Sequence, residues 1–345
     1  AYTQFRSAFS DLLNIYGEMR SNWYESGAVN DAFFNRVGTN VLLSGDAGTN
    51  WSSIYTTINS ANLILKHTPE ISFTNEATRS EVMANAYFLR AYCYFTLVRV
   101  FGDCPLLTSG FESEKQEDMY PSRTAASEVY AQVETDIEEA LRLMPASSKL
   151  LHKASPAAIN MLRTEYYLWK AKRLGGGNAA LSTAQSSVDA VLKAGYALLP
   201  TFADIFNLNN EANSELIWTL PYIVNENVTP GTSPNFFAYY LAPNGDRTRL
   251  REAGYTEDEV PAGSHAQYVV PTQAYCDFLA EDARDTRTDV SVRVFEDKFL
   301  TEEVQIKRMV VKFKGSFAND TRSFDSDVPV YRLAEAYLLK AEVEN

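Results

Sequence analysis

The chain has 345 residues, room for about two domains or one large one at roughly 150 residues each, and 46% of them are hydrophobic, so a substantial core can form. Its 31 Lys and Arg against 44 Asp and Glu leave a net charge of −13. That balance argues against nucleic acid or an anionic membrane face as partner, because both need clustered cations, whereas a neutral ligand is compatible with it. Cys93, Cys104 and Cys276 are an odd number with no C-x-x-C pair, so no disulfide framework is expected. No run approaches the ~18 apolar residues of a membrane span.

Phe5, Phe9, Leu12, Tyr16, Met19 and Trp23 recur at helical steps, which predicts an amphipathic helix from near the N-terminus through Trp23. Residues 26–50 are rich in Gly, Asn, Asp and Ser and read as one long loop carrying Phe33, Phe34, Asn35 and Arg36. A loop of that length inside a compact domain is usually functional or disordered. Trp51, Ile54, Tyr55, Ile58, Ala61, Asn62 and Leu65 resume the helical period.

A long helix follows over about 75–101. Val82, Ala86, Leu89, Cys93, Thr96 and Val100 form one stripe, and Tyr87, Ala91, Tyr94, Val98 and Phe101 another. A helix apolar nearly all round must be packed on several sides. Gly102 supplies the left-handed position that ends it, and Pro105 prevents its resumption. Val129, Val133, Ile137, Ala140, Leu141 and Met144 mark the next helix. Ser155-Pro156 then opens another, with a capping hydroxyl and Pro in the first turn. Ile159, Leu162, Tyr166 and Trp169 give it a buried face, Gly175-Gly176-Gly177 ends it, and a shorter helix over 179–194 is closed by Gly195.

Three helix pairs before residue 195 suggest stacking of the tetratricopeptide type, although the strict letters of that repeat are absent. From 196 to 330 the texture changes. Residues 216–220 and 310–313 read as short strands among Pro-, Gly-, Asn- and aromatic-rich loops, one of which holds Asn235, Phe236, Phe237, Tyr239 and Tyr240. Residues 330–344 return to helix and stop without a partner. The expected fold is mainly α. It comprises a tetratricopeptide-like helix-pair scaffold over 1–195, an irregular loop-rich part with a few short β-strands over 196–330, and a returning scaffold helix over 331–345.

Several blocks resemble, in order, the SusD/RagB family of outer-membrane nutrient-binding lipoproteins. The 85–106 run, Asn-Ala-Tyr-Phe-Leu-Arg-Ala-Tyr-Cys-Tyr-Phe through Phe101-Gly102-Asp103-Cys104-Pro105-Leu106, resembles the family's signature helix. Trp51-x-x-Ile54-Tyr55-x-x-Ile58-Asn59-x-Ala61-Asn62 is similar to an earlier helix. Asp136-Ile137-Glu138-Glu139-Ala140 with Leu143-Met144-Pro145 is similar to a later one, as is Lys153-Ala154-Ser155-Pro156-Ala157-Ala158 with Leu168-Trp169. Tyr196-x-Leu198, Phe206 and 214–218 resemble the strand region that follows. Pro271-Thr272, Phe278, Asp282-x-Arg284 and Asp285-x-Arg287 fit further elements, and 327–338 resembles the late helix.

The resemblance implies non-catalytic capture of an oligosaccharide or polysaccharide at the cell surface and delivery to a SusC-like TonB-dependent transporter. It also implies an N-terminal lipid anchor in the outer membrane. Family members carry a lipid-modified Cys at the mature N-terminus and continue past the late helix. This chain has no Cys before residue 93, so both ends read as trimmed. Some members of the family serve peptide import, which makes a peptide the alternative ligand; a pure protein-binding scaffold is a further one.

Sugar rings present C–H faces that stack on aromatic faces, with a few polar side chains reaching the hydroxyls. The two loop clusters, Phe33, Phe34, Asn35 and Arg36 with Asn235, Phe236, Phe237, Tyr239 and Tyr240, are therefore the ligand-binding candidates. Each ring has a competing reading as a satellite core under its own loop. Trp23, Trp51, Trp169 and Trp218 fall on helical or strand periods and are expected in the core.

No catalytic residue is expected. His67, His152 and His265 are scattered without metal-ligand spacing, and the glycine triplet lacks the Lys-Ser/Thr of a phosphate loop. Glu257-Asp258-Glu259 and Asp282, Asp285 and Asp289 could in principle flank a sugar, as in a glycoside hydrolase. Solvated charge, helix caps and pairing with Arg284 and Arg287 explain them more simply. No cofactor is expected. Some of these carboxylates could hold a structural calcium ion, though no D-x-D-x-D-G loop is present.

Overall fold

The computed structural model describes residues 1–27, 31–113, 120–230, 239–263, 266–297 and 304–345. Its frame is helical. α1 (Tyr2–Tyr16), α3 (Ser52–His67), α4 (Glu76–Phe101), α5 (Ala126–Leu143), α6 (Pro156–Arg173), α7 (Gly177–Leu192) and the C-terminal α12 (Leu333–Glu344) pack successively, α3 on α4, α4 on α5, α6 on α7 and α7 on α12. Four short helices lie between them: α2 (Ala32–Gly38), α8 (Phe202–Ile205), α9 (Arg247–Glu252) and α11 (Thr288–Ser291). The eight-residue α10 (Gln273–Ala280) completes the set.

The central helix α4 starts where Asn75 accepts from the Ala77 N–H at 2.9 Å and ends at Gly102, whose φ is +69°. Phe88, Leu89, Cys93, Tyr94, Phe95 and Leu97 are all buried, as an all-round apolar helix requires. Ser155 caps α6 by accepting from the Ala158 N–H at 3.2 Å, and Pro156 occupies the first turn. In the glycine triplet, Gly175 at φ +74° terminates α6 while Gly177 already opens α7, so the two helices are hinged through Gly176.

The described strands form four two-stranded antiparallel ribbons: β1 (Tyr24–Ser26) with β3 (Val269–Pro271), β2 (Leu216–Leu220) with β8 (Val328–Arg332), β4 (Val292–Asp297) with β5 (Gln305–Val310), and β6 (Ser316–Ala318) with β7 (Thr321–Ser323). The strand expected at 310–313 runs earlier, because its six-residue register with β4 ends at the Val292–Val310 pair. The helix expected from 330 begins at Leu333. Residues 328–332 are taken by the ladder to β2, which fixes Trp218 in the core. Trp218 is fully buried, with ring centroids 4.8 Å from Phe88, 5.3 Å from Phe5, 5.5 Å from Tyr92 and 5.8 Å from Tyr331. This aromatic nucleus joins α1, α4, β2 and β8.

Two expectations fail near the N-terminus. The first helix stops at Tyr16 rather than running through Trp23. Gly17 takes a non-helical φ/ψ of −109°/−114°, in which a Cβ would sit 2.6 Å from the Leu13 carbonyl oxygen, and this conformation, open to glycine, breaks the ladder. Residues 26–50 are not one loop either. Asp31 accepts from the backbone N–H groups of Phe33 and Phe34 at 2.8 and 3.2 Å and nucleates α2.

Candidate aromatic binding site

The β1/β3 ribbon organises the site. Tyr24 faces Pro271 and Ser26 faces Val269, while the Thr272 N–H donates to the Trp23 carbonyl at 2.8 Å. Trp23 thereby stands at the ribbon's end against the first turn of α10, which Thr272 caps. Cys276 and Leu279 bury one face of α10; Tyr275 and Phe278 occupy another. The Trp23 ring lies 4.8 Å from Tyr275 and 5.5 Å from Phe278, tilted by 47° and 31°. Trp23 is 40% exposed and Phe278 56%, so a shallow wall of three rings opens to solvent.

This corrects the expected core position of Trp23. The helical spacing that put it there is interrupted by Gly17, and that interruption was legible. Tyr275 and Phe278 share a helix face at i, i+3 that adjoins the buried face of Cys276 and Leu279. That amphipathic pattern is the signal that could have found them.

The two loops singled out from the sequence do meet. Phe34 stacks on Tyr268 at 5.2 Å and lies 5.5 Å from Tyr239, with Phe33 5.2 Å away. These rings are half-buried and lean on the main core. Asn35 accepts from the Ser26 hydroxyl, which ties α2 to β1. Arg36 grips Asp46 through two donors, and these hydrogen bonds hold the Asp46 carboxyl down at about 2. Tyr240 is buried, its ring 5.5 Å from Tyr24. Asn235, Phe236 and Phe237 lie outside the described residues, as does His265. Tyr24 connects the two groups, since its ring also lies 6.0 Å from Tyr275.

The acidic clusters are engaged in pairing. Asp282 receives Arg284 at 2.9 and 2.7 Å, and Asp285 receives Arg287. Glu257 binds Arg247 at 2.6 Å and Arg322 at 2.7 Å, and Asp258 binds Lys314 at 2.7 Å. Among the described residues no three His, Cys, Asp or Glu side chains converge on a common point as metal ligands. The three cysteines are buried and free.

Comparison with known proteins places this geometry in a lineage. The profile of a SusD-like family, described as starch-binding and associating with the outer membrane, matches residues 6–167. SusD-like protein P25 of Formosa agariphila is 26% identical over 326 residues, covering 86% of this chain and 58% of its own length. Among solved structures, NanU of B. fragilis superposes with a TM-score of 0.85 at 25% identity over 99% of this chain and 71% of its own. A laminarin-binding SusD-like protein shares the fold at a TM-score of 0.71 and 18% identity, over 100% of this chain and 80% of its own.

The chain is similar to the SusD-like family over residues 6–167, and the relatives found along its length are SusD-like proteins. It spans 58% of the length of the curated relative P25. The family profile covers the scaffold through most of α6 and includes Trp23, whereas Tyr275 and Phe278 fall outside it. The ring wall thus takes one ring, Trp23, from the matched scaffold and two, Tyr275 and Phe278, from the irregular part. No described helix is long and apolar enough to cross a membrane.

Proposed function

We propose that this SusD-like chain captures a neutral oligosaccharide or polysaccharide on the rings of Trp23, Tyr275 and Phe278, breaking no bond. The observation that carries the reading is the exposure of Trp23 and Phe278, with Trp23 packed on both Phe278 and the half-buried Tyr275 at the end of the β1/β3 ribbon, beside the similarity to a family described as starch-binding. Stacking against C–H faces needs exposed π-faces and no cofactor. The Phe33, Phe34 and Tyr239 cluster extends the surface on the other side of Tyr24, with Asn35 and Arg36 on the same helix. The net charge of −13 favours an uncharged glycan over an anionic one. The laminarin-binding neighbour of the same fold agrees with this class of ligand.

On the same reading the protein works at the outer face of the outer membrane, held by a lipid anchor, and passes the glycan to a SusC-like TonB-dependent transporter. Affinity electrophoresis across a panel of neutral and acidic polysaccharides, with reducing-end analysis of the same mixtures, tests the reading. Retardation by a neutral glycan without product is expected. Release of reducing ends would point to a hydrolase instead. Silence across the panel with a saturable response to peptides would replace the glycan by a peptide cargo.

A further inference from the structure

A second polar feature adjoins the ring wall. A cavity of about 330 Å³ is bounded by α1, β1, α4, α6, β8, α12 and the segment after β5. Tyr24, which touches Tyr275 of the wall, also lines this cavity. Its volume lies at the lower end of the range typical of small-ligand sites.

What distinguishes it is the number of lining groups with no protein partner. Asn14 is only 6% exposed, yet its side-chain amide has no hydrogen-bond partner among the described residues. The amide is open to the cavity, where a guest or water can take up its hydrogen-bonding capacity. The Lys312 ammonium makes no ion pair among the described residues; the Phe202 and Phe206 rings lie 5.8 Å from it, and the Glu18 carboxyl and Arg332 guanidinium act on it from the same lining. The Tyr92 hydroxyl and the Glu335 carboxyl line the same space. Together with Glu18, Glu165 and Arg332 on the same lining, this amide, ammonium, phenol and carboxyl offer both donors and acceptors and charges of both signs, beside the ring of Tyr24.

The geometry points to a second ligand site in this cavity, one that takes a single neutral sugar unit through Asn14, Tyr92, Lys312 and Glu335. A sugar hydroxyl donates and accepts at once, so it matches a mixed set of this kind where an ion of either sign does not. Burial drives the titratable walls toward their uncharged forms, lowering Lys312 and raising Glu335, which suits an uncharged guest. The inference rests on the glycan-binding reading for the class of ligand, but on different residues.

The test is saturation-transfer NMR and calorimetry of the whole chain with a panel of neutral hexoses and N-acetylhexosamines. Lys312→Met, Asn14→Ala and the gentler Tyr92→Phe are compared with Trp23→Ala. Saturable binding of at least one monosaccharide is expected, weakened about tenfold by Lys312→Met or Asn14→Ala and measurably by Tyr92→Phe, but unchanged by Trp23→Ala. Tyr92→Phe removes one hydroxyl from a folded core and keeps the test valid should a harsher change unfold the protein. No saturable response to any monosaccharide overturns the inference, as does a response that only Trp23→Ala removes. In either case retardation by polysaccharide would leave the ring wall standing as the glycan site.

Discussion

Removing the Asp136 carboxylate should cost more than any single surface change in this chain. Arg90 is 5% exposed in the middle of α4, and Asp136 on α5 is fully buried. The guanidinium donates from Nε to Oδ2 at 2.8 Å and from its second terminal nitrogen to Oδ1 at 2.6 Å, and Gln132 donates to the same Oδ1 at 2.9 Å. The remaining terminal nitrogen reaches Asn62 Oδ1 on α3 at 2.7 Å, so one cation bolts three helices together. Asp136→Ala leaves that buried cation facing no carboxylate, at a cost of ~3–5 kcal/mol. With ~2.1 cal/mol/K of unfolding entropy per residue, 345 residues melting as one unit carry ~0.7 kcal/mol/K. The midpoint should therefore fall by ~4–7 °C in differential scanning calorimetry. Replacing both partners, as Arg90→Met with Asp136→Leu, should recover most of the loss, because an apolar pair needs no desolvation of charge. A drop under ~1 °C for Asp136→Ala, or a double variant worse than the single one, would refute the reasoning. Glu139→Ala, which breaks an exposed pair with Arg142 on the same helix, is the control and should leave the midpoint in place.

The melting midpoint should also depend on pH in the opposite sense to ordinary acid denaturation. Burial, reinforced by Glu165, pushes Glu335 up to about 8, and burial pushes Glu211 up to about 7, from an ordinary 4.5. Both groups hold their proton more tightly folded than unfolded. Their contribution is therefore full below about pH 4.5 and is lost as pH rises through 7 and 8. Melts from about pH 5 to about pH 9 should fall steadily, and Glu335→Gln should flatten the upper part; a rise over that range would contradict the assignment. Gly315 holds φ at +67°, and a Cβ there would sit 1.9 Å from the Ser323 carbonyl. Gly315→Ala should cost more than ~2 kcal/mol in urea unfolding by forcing the β6/β7 hairpin apart, and a cost under ~0.5 kcal/mol would show that the hairpin yields freely.

The helical frame was legible because its signals are local. Asn75 and Ser155 mark helix starts, Gly102 and Gly195 mark stops, and the double stripe of α4 announces a helix enclosed by others. The irregular part was less so. Its ribbons are two strands wide and join distant segments, as β1 joins β3 across more than two hundred residues, and no local pattern encodes that pairing. The site followed the same division. Phe34 and Tyr239 read from the sequence as loop aromatics, and the fold brings them to 5.5 Å. The spacing of Trp23 continues a helical period that Gly17 ends, which points to the core where the fold leaves the ring exposed, and its companions Tyr275 and Phe278 come from a helix about 250 residues away. The buried group around Glu165 and Glu335 likewise joins α6 to α12, two helices whose carboxylates look solvated when each is read alone.

The most direct measurement compares wild type with Trp23→Ala and Phe278→Ala in a native gel containing the polysaccharide that retards the wild type, alongside their melting curves. Both rings are exposed and neither is enclosed by the core, so loss of retardation with little change in midpoint is the predicted result. Variants that migrate with the wild type, still slowed by the glycan, would place the binding surface elsewhere on the molecule.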